Sequence, residues 1–261
     1  MPLLGLGTWP MDDEQTAAAV ETAIEIGFRL FDTAEQYGNE CGVAEGLRRS
    51  GIDRDEVFIT TKFNRQWHSR RGVRQAFTNA IERLNVDYID LFTVHWPNPN
   101  QGHYVEAVEG LDYLLREGLI RAVGVSNFKP AHLDRLFDVG LVPDVNQLQL
   151  DPRHTRNSAR ALHREYGIAT QCWSPLGRDS GLRTERLVLA LADKYGRTPS
   201  QIILRWHTQQ GYSAIPKASS RVHLTENMAS FDFDLSTEDL ERVSQLDTGE
   251  ADIYDSDAFG H

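Results

Sequence analysis

The stretch VFITTKFNRQWHSRRGVRQAFTNAIERLNVDYIDLFTVH, residues 57–95, decides how the chain folds. It opens on a short apolar run, Val57–Thr61, and closes on another, Ile89–Val94. Between them the apolar residues of Arg70–Leu84 recur at spacings of three and four, which predicts a helix there. Two runs that are apolar on both faces and joined by a helix form a parallel βα unit, because parallel neighbours need a long crossover.

The same unit recurs along the chain. Strand-like runs also lie at Leu3–Leu6, Arg29–Phe31, Ala122–Val125, Val145–Leu148, Ile168–Trp173 and Tyr212–Ile215, which makes eight. Helix-period segments include Glu14–Ile26, Val105–Glu117, Ala131–Val139 and Asn157–Tyr166, with Gly27, Gly51, Gly118, Gly140, Pro143 and Gly167 at the junctions. Eight βα units in 261 residues predict an α/β fold, one (β/α)₈ TIM barrel domain over residues 1–261. Helical stretches at Glu185–Tyr195 and Pro199–Gln209 follow the seventh run, the latter with Thr198 as N-cap. Val222–Met228 and Thr237–Gln245 follow the eighth, so two helices are extra, and an acidic tail runs from Asp247 to His261.

Composition narrows the partners. A net charge of −11 disfavours nucleic acid and anionic membranes, which call for clustered Lys and Arg. Cys41 and Cys172 fit neither a metal spacing nor a disulfide framework and are expected to be buried free thiols. No secretory opening and no 18-residue apolar stretch occurs, so a cytoplasmic monomer acting on a small molecule is expected.

Barrel chemistry sits at the C-terminal ends of the strands. There the second run closes on Asp32, with Tyr37 five residues on, the third on Lys62 and the fourth on His95. Singly, each has an ordinary role in packing, capping or snorkelling. Together they place four titratable groups at one mouth. Tyrosine, with a pKa of about 10, is a poor proton donor at neutral pH, and a nearby ammonium is expected to lower that value. Asp32 keeps Lys62 charged, and His95 orients the reacting carbonyl. The set lacks a nucleophile and a metal, so it needs hydride from a cofactor. Two rival chemistries fail. Gly5-Leu-Gly7 has Pro10 where a dinucleotide fingerprint needs its third glycine, and no His-x-His closes a strand.

Leu4-Gly-Leu-Gly-Thr-Trp9, Phe31-Asp-Thr-Ala-Glu-Gln-Tyr37-Gly, Thr61-Lys62, Val94-His-Trp-Pro97, Val123-Gly-Val-Ser-Asn-Phe128, Asn146-Gln147, Trp173-Ser-Pro-Leu-Gly177 and Ile215-Pro-Lys217 together resemble the aldo-keto reductases. The resemblance is strongest to their bacterial 2,5-diketo-gluconate reductase-like branch. It implies NAD(P)H-dependent reduction of aldehydes and ketones by a tetrad of Asp32, Tyr37, Lys62 and His95. It also implies that Trp173 stacks on the nicotinamide, that Ser126, Asn127 and Gln147 hold the carboxamide, and that Gly7 and Thr8 form the nearby floor. Ser174, Leu176 and Gly177 would then follow the pyrophosphate, Lys217 the 2′-phosphate, and Glu226 and Asn227 the adenine. The alternative class is a barrel that binds NADP(H) as a sensor with vestigial chemistry.

The chain departs from that family in three places. Ala218 and His223 replace a hydroxyl and an arginine at the phosphate end, and Arg221 is left to compensate. NADPH is therefore expected as cofactor with weakened discrimination, so that NADH also works. Met1-Pro2-Leu3 leaves no room for the usual β-hairpin ahead of the first strand. Short loops and a brief tail predict an open substrate pocket lined by Trp9, Trp67, Trp96, His95 and Phe63.

Overall fold

The computed structural model describes residues 1–260, so the tail residue His261 lies outside the described residues. Eight parallel strands pair in chain order: β1 (Leu6–Gly7), β2 (Leu30–Asp32), β3 (Phe58–Phe63), β4 (Ile89–Val94), β5 (Ile120–Ser126), β6 (Val145–Gln149), β7 (Ala169–Trp173) and β8 (Ser213–Ile215). Backbone bonds bring β8 back to the start: Gly5 N donates to Ala214 O at 2.9 Å, and Gly7 N to Pro216 O at 3.1 Å. A Cβ on Gly7 would stand 2.8 Å from Ile215 O, so only glycine lets the chain pass this close to β8. The result is the expected (β/α)₈ barrel.

Its helices are α1 (Asp13–Ile26), α2 (Glu40–Ser50), α3 (Arg70–Leu84), α4 (Tyr104–Arg116), α5 (Pro130–Phe137), α6 (Asn157–Tyr166), α7 (Arg186–Tyr195), α8 (Pro199–Gln209), α9 (Arg221–Met228) and α10 (Thr237–Ser244). β7 and β8 are each followed by two helices. Thr198 caps α8 by accepting from Gln201 N, with Pro199 at its first position. One hydrophobic core joins β1 to β5 and β8 with α1 through α5, and a second, which includes Cys172 of β7, lies beneath α7, α8 and α10.

The strands differ from the apolar runs at their ends. Leu3–Leu6 is apolar because it is near β8, but Leu4 makes only a single bridge, to Ala214, and the regular strand starts at Leu6. Conversely β2 takes in Asp32, β3 takes in Lys62 and β5 takes in Arg121, because backbones pair whatever the side chain. Residues 1–5 form no hairpin; Ser213 Oγ donates to Pro2 O at 2.9 Å, which sets them against the start of β8. Cys172 is buried as expected, but Cys41 is exposed. It lies near the start of α2, whose buried side is carried by Glu40, Gly42, Val43 and Gly46. No helix among the described residues is long and apolar enough to cross a membrane.

Candidate active site

The barrel mouth is organised around one buried ammonium. Lys62, with its side chain 0 % exposed, donates to Asp32 Oδ1 at 2.6 Å, to Thr33 O at 2.9 Å and to the Tyr37 hydroxyl at 3.2 Å. An ammonium has three protons, and all three are placed. Since the Tyr37 oxygen accepts from Lys62, its own proton is left to turn toward the cavity. Tyr37 ends the short 3₁₀ turn Glu35–Tyr37 that follows β2. Its ring is half-buried, with Trp9 at 5.3 Å on one side and the edge of His95 at 5.8 Å on the other.

Burial and pairing compete at each of these groups. Burial alone would depress the Lys62 ammonium, but Asp32 and Tyr37 outweigh it and hold its pKa above the ordinary lysine value. For Tyr37 the balance is opposite to the sequence expectation. Desolvation of the hydroxyl pushes its pKa up, and the lowering pull of Lys62 does not overcome it. The phenol therefore keeps its proton at neutral pH, with the Lys62 ammonium 3.2 Å from its oxygen. Burial likewise pushes the Asp32 carboxyl up, against Lys62 and Gln147. Its Oδ2 accepts from Gln147 Nε2 at 2.7 Å.

Above these groups opens a cavity of about 530 Å³. Of the expected site residues, Asp32, Tyr37, His95, Gly7, Thr8, Ser126, Asn127, Gln147, Trp173, Ser174, Leu176, Lys217, Trp9 and Trp96 line it. Lys62 lies beneath its floor. Asn127 and Ser174, at the ends of β5 and β7, sit in the left-handed region at φ +65° and +49°, as does Arg178 at +49°. Such strain in non-glycine residues is retained where the surroundings fix it. Here Asn127 Nδ2 donates to His95 O at 3.2 Å, and its Oδ1 accepts the Trp173 indole N–H at 2.9 Å. That bridge ties the ends of β4, β5 and β7 together.

Other expected residues fall elsewhere. Trp67 does not line the cavity; its indole N–H is held by Glu35 at 3.0 and 3.1 Å. Phe63 is in the core, 4.9 Å from Phe92. Gly177, Ala218, Arg221, His223, Glu226 and Asn227 also lie outside the cavity lining. Arg221 is turned to Glu25 on α1, and the Glu226 carboxylate accepts from Thr198 Oγ1 at 2.6 Å. Ala218 and Asn227 are buried, while Lys217 and His223 are exposed.

The pocket is also less open than the loop lengths suggest. The tail returns over the mouth and adds Tyr254 and Phe259 to the lining, with Phe259 4.7 Å from Trp96. It is fastened by Lys129 to Asp255 and Asp257 at 2.5 and 2.7 Å, and by His132 to Asp257 at 2.8 Å. Arg178 and Arg183 also line the cavity. The Arg178 guanidinium stands 5.2 Å from both the Trp173 and Tyr254 rings, within reach of a cation–π contact. None of these four residues was marked by strand-end position. The pairing of tail aspartates with aromatic neighbours was the available signal for Tyr254 and Phe259.

A barrel whose mouth holds a buried Asp–Lys–Tyr contact beside a histidine, with no nucleophile among them, defines an oxidoreductase that works with a hydride carrier. Residues 3–248 match the model of the Aldo/keto reductase family, and the chain belongs to that family. It is 41% identical over 262 residues to methylglyoxal reductase DkgA of Escherichia coli (strain K12), covering 100% of this chain and 94% of that protein. An aldo-keto reductase of Mycolicibacterium smegmatis is 39% identical, covering 95% of this chain and 90% of its own length. Among solved structures, a mutant of Gox0644 in complex with NADPH superposes with a TM-score of 0.94 at 35% identity, covering 100% of this chain and 95% of that one. The protein is thus an NAD(P)H-dependent oxidoreductase acting on carbonyl groups.

Proposed function

We propose that the protein reduces aldehydes and ketones to alcohols with NADPH, and that Tyr37 is the proton donor. The observation that carries this reading is the saturated Lys62 ammonium: its bond to the Tyr37 oxygen leaves the phenol proton free to turn toward the cavity. The cavity also suits the cofactor. In a chain of net charge −11, the cations Arg178, Arg183 and Lys217 all line this one cavity, as a phosphorylated dinucleotide requires. Trp173 offers an aromatic face. Both amide protons of Gln147 are spent on Asp32 and Gln171, so its carbonyl oxygen is the end left to meet a carboxamide NH₂. Ser126 and Asn127 hold the β5 rim beside it.

Bound there, NADPH supplies the hydride. The chain does the rest. His95 and Tyr37 flank the position of the carbonyl oxygen, and Trp9, Trp96 and the tail aromatics give it an apolar wall. As the oxygen gains charge, Tyr37 delivers its proton. Lys62, kept cationic by Asp32, stabilises the phenolate that remains. The binding-only alternative is disfavoured because the donor, its stabilising ammonium and the counter-ion are already in contact. All these residues come from one chain, so a monomer suffices. The unpaired, exposed Cys41 thiol suits a reducing compartment such as the cytoplasm.

A panel of small aldehydes and ketones, run with NADPH and NADH on the wild type and Tyr37→Phe, tests the reading. Activity with several carbonyls that collapses in the variant is expected; equal activity in the two would remove Tyr37 from its role. The same panel tests cofactor choice. With Ala218 and His223 at the phosphate end and Arg221 paired to Glu25, one charge-assisted hydrogen bond to the 2′-phosphate is missing, about ten- to a hundred-fold in affinity. NADPH is therefore expected to be preferred over NADH by less than about a thousand-fold in kcat/KM. Glu25→Ala, which frees Arg221, is expected to raise the preference. A wild-type ratio above that bound, or no change in Glu25→Ala, contradicts this account of the phosphate end.

A further inference from the structure

The sequence singles out Asp32 and Gln147, but the barrel interior adds a residue that neither strand-end position nor family resemblance marks. Gln171, fully buried in β7, pairs in register with Gln147 on β6 and with Ser213 on β8, so the three stand side by side on one level of the barrel. Gln147 Nε2 gives one proton to Asp32 Oδ2 at 2.7 Å and the other to Gln171 Oε1 at 2.6 Å. Gln171 Nε2 faces Ser213 Oγ at 3.5 Å, and Ser213 Oγ donates to Pro2 O at 2.9 Å. Gln171 does not line the cavity.

The two ends of a side-chain amide are nearly the same shape, so its network must decide which end faces which partner. Here both ends of the chain of bonds are fixed. The Pro2 carbonyl can only accept, so the Ser213 proton is committed to it and the Ser213 oxygen presents a lone pair to Gln171. That turns Gln171 Nε2 toward Ser213 and its Oε1 toward Gln147. At the other end the Asp32 carboxylate also only accepts. Without the Gln171 acceptor, one Gln147 amide proton has no partner in the barrel. A flipped Gln147 would set its oxygen against Asp32 Oδ2.

We propose that Gln171 is a positioning residue for carbonyl reduction: its Oε1 and the Asp32 carboxylate together hold the Gln147 amide in place, and with it the carboxylate that holds Lys62. The proposal rests on the role given above to Asp32, Lys62 and Tyr37. It makes Gln171 part of the active site's polarity without any contact to substrate or cofactor. It predicts an effect on the chemical step and on cofactor binding, and none on the carbonyl KM.

The test compares Gln171→Met, which keeps the volume and removes the acceptor, with Gln171→Glu, whose carboxyl, kept protonated by burial, offers an acceptor to Gln147 and a donor to Ser213. Gln171→Met is expected to lower kcat and weaken NADPH binding by about tenfold each, as for loss of one oriented hydrogen bond. Gln171→Glu is expected to rescue most of that loss. Because Gln171 acts through Gln147, the double variant Gln147→Met/Gln171→Met should be no slower than Gln147→Met alone. A wild-type kcat in Gln171→Met, an equal fall in the Met and Glu variants, or additive losses in the double variant each overturn the proposal. Should Gln171→Met not fold, Gln171→Asn, whose shorter amide falls short of Gln147, carries the same expectation. A parallel Tyr37→Phe control separates the two levels. If it stays active, the tetrad reading has failed; if it is inactive while Gln171→Met is normal, only the role of Gln171 has failed.

Discussion

Tyr37→Phe is expected to lower kcat by about 10²- to 10⁴-fold, the range for loss of a positioned general acid. The ring stays, so its packing against Trp9 and His95 is kept, and NADPH affinity should change little. What goes is the oxygen that accepts from Lys62 at 3.2 Å and the proton it points at the cavity. Desolvation keeps that proton in place at neutral pH, so the loss should be visible across the neutral range. Steady-state rates with a saturating aldehyde, beside cofactor titrations, separate chemistry from binding. A variant within tenfold of wild type would place the proton donor elsewhere.

Lys62→Met is the second large effect, and it touches stability as well as rate. It leaves the Asp32 carboxylate, 2 % exposed, without the ammonium 2.6 Å away. Breaking one side of a buried pair costs about 3–5 kcal/mol, roughly 6–20 °C in Tm for a chain of this size. The sign of its pH dependence follows from burial, which raises the Asp32 pKa in the folded state. A carboxyl raised above its unfolded value near 3.9 destabilises the fold at neutral pH, and the penalty fades as the pH falls and Asp32 protonates. Thermal melts of Lys62→Met against wild type should therefore converge toward acid. The double variant Lys62→Met/Asp32→Leu should recover most of the stability and none of the activity. A Lys62→Met protein as stable as wild type at pH 7 would contradict the ion-pair account.

Much of the barrel is legible in the sequence because burial and helical period are written in side-chain character. Ile89–Val94, Arg70–Leu84, Asn157–Tyr166 and Pro199–Gln209 read directly to their ends. Strand ends read less well wherever a polar residue joins the ladder through its backbone, as Asp32 and Lys62 do. Asp32, Lys62 and His95 are legible for the same reason: polar residues that close apolar runs must face something inside the mouth, whereas Tyr37 sits in the turn that follows β2. Trp67 turns away from the pocket that its aromatic ring suggests, because its pairing with Glu35 is a matter of loop geometry. Tyr254 and Phe259 are brought to the site by contacts far apart in sequence, among them the ion pairs of Lys129 with Asp255 and Asp257, 126 and 128 residues away. Gln171 carries no local signal at all, since its role depends on register across three strands.

The most direct test is a single turnover: NADPH bound to the wild-type protein is mixed with a small aldehyde, and cofactor oxidation is followed within one catalytic cycle. The structure predicts rapid hydride loss in the wild type, and loss slowed at least about a hundred-fold in Tyr37→Phe with the cofactor still bound. NADPH that binds and is not oxidised by any carbonyl of the panel would contradict the account and leave the barrel a cofactor-binding protein.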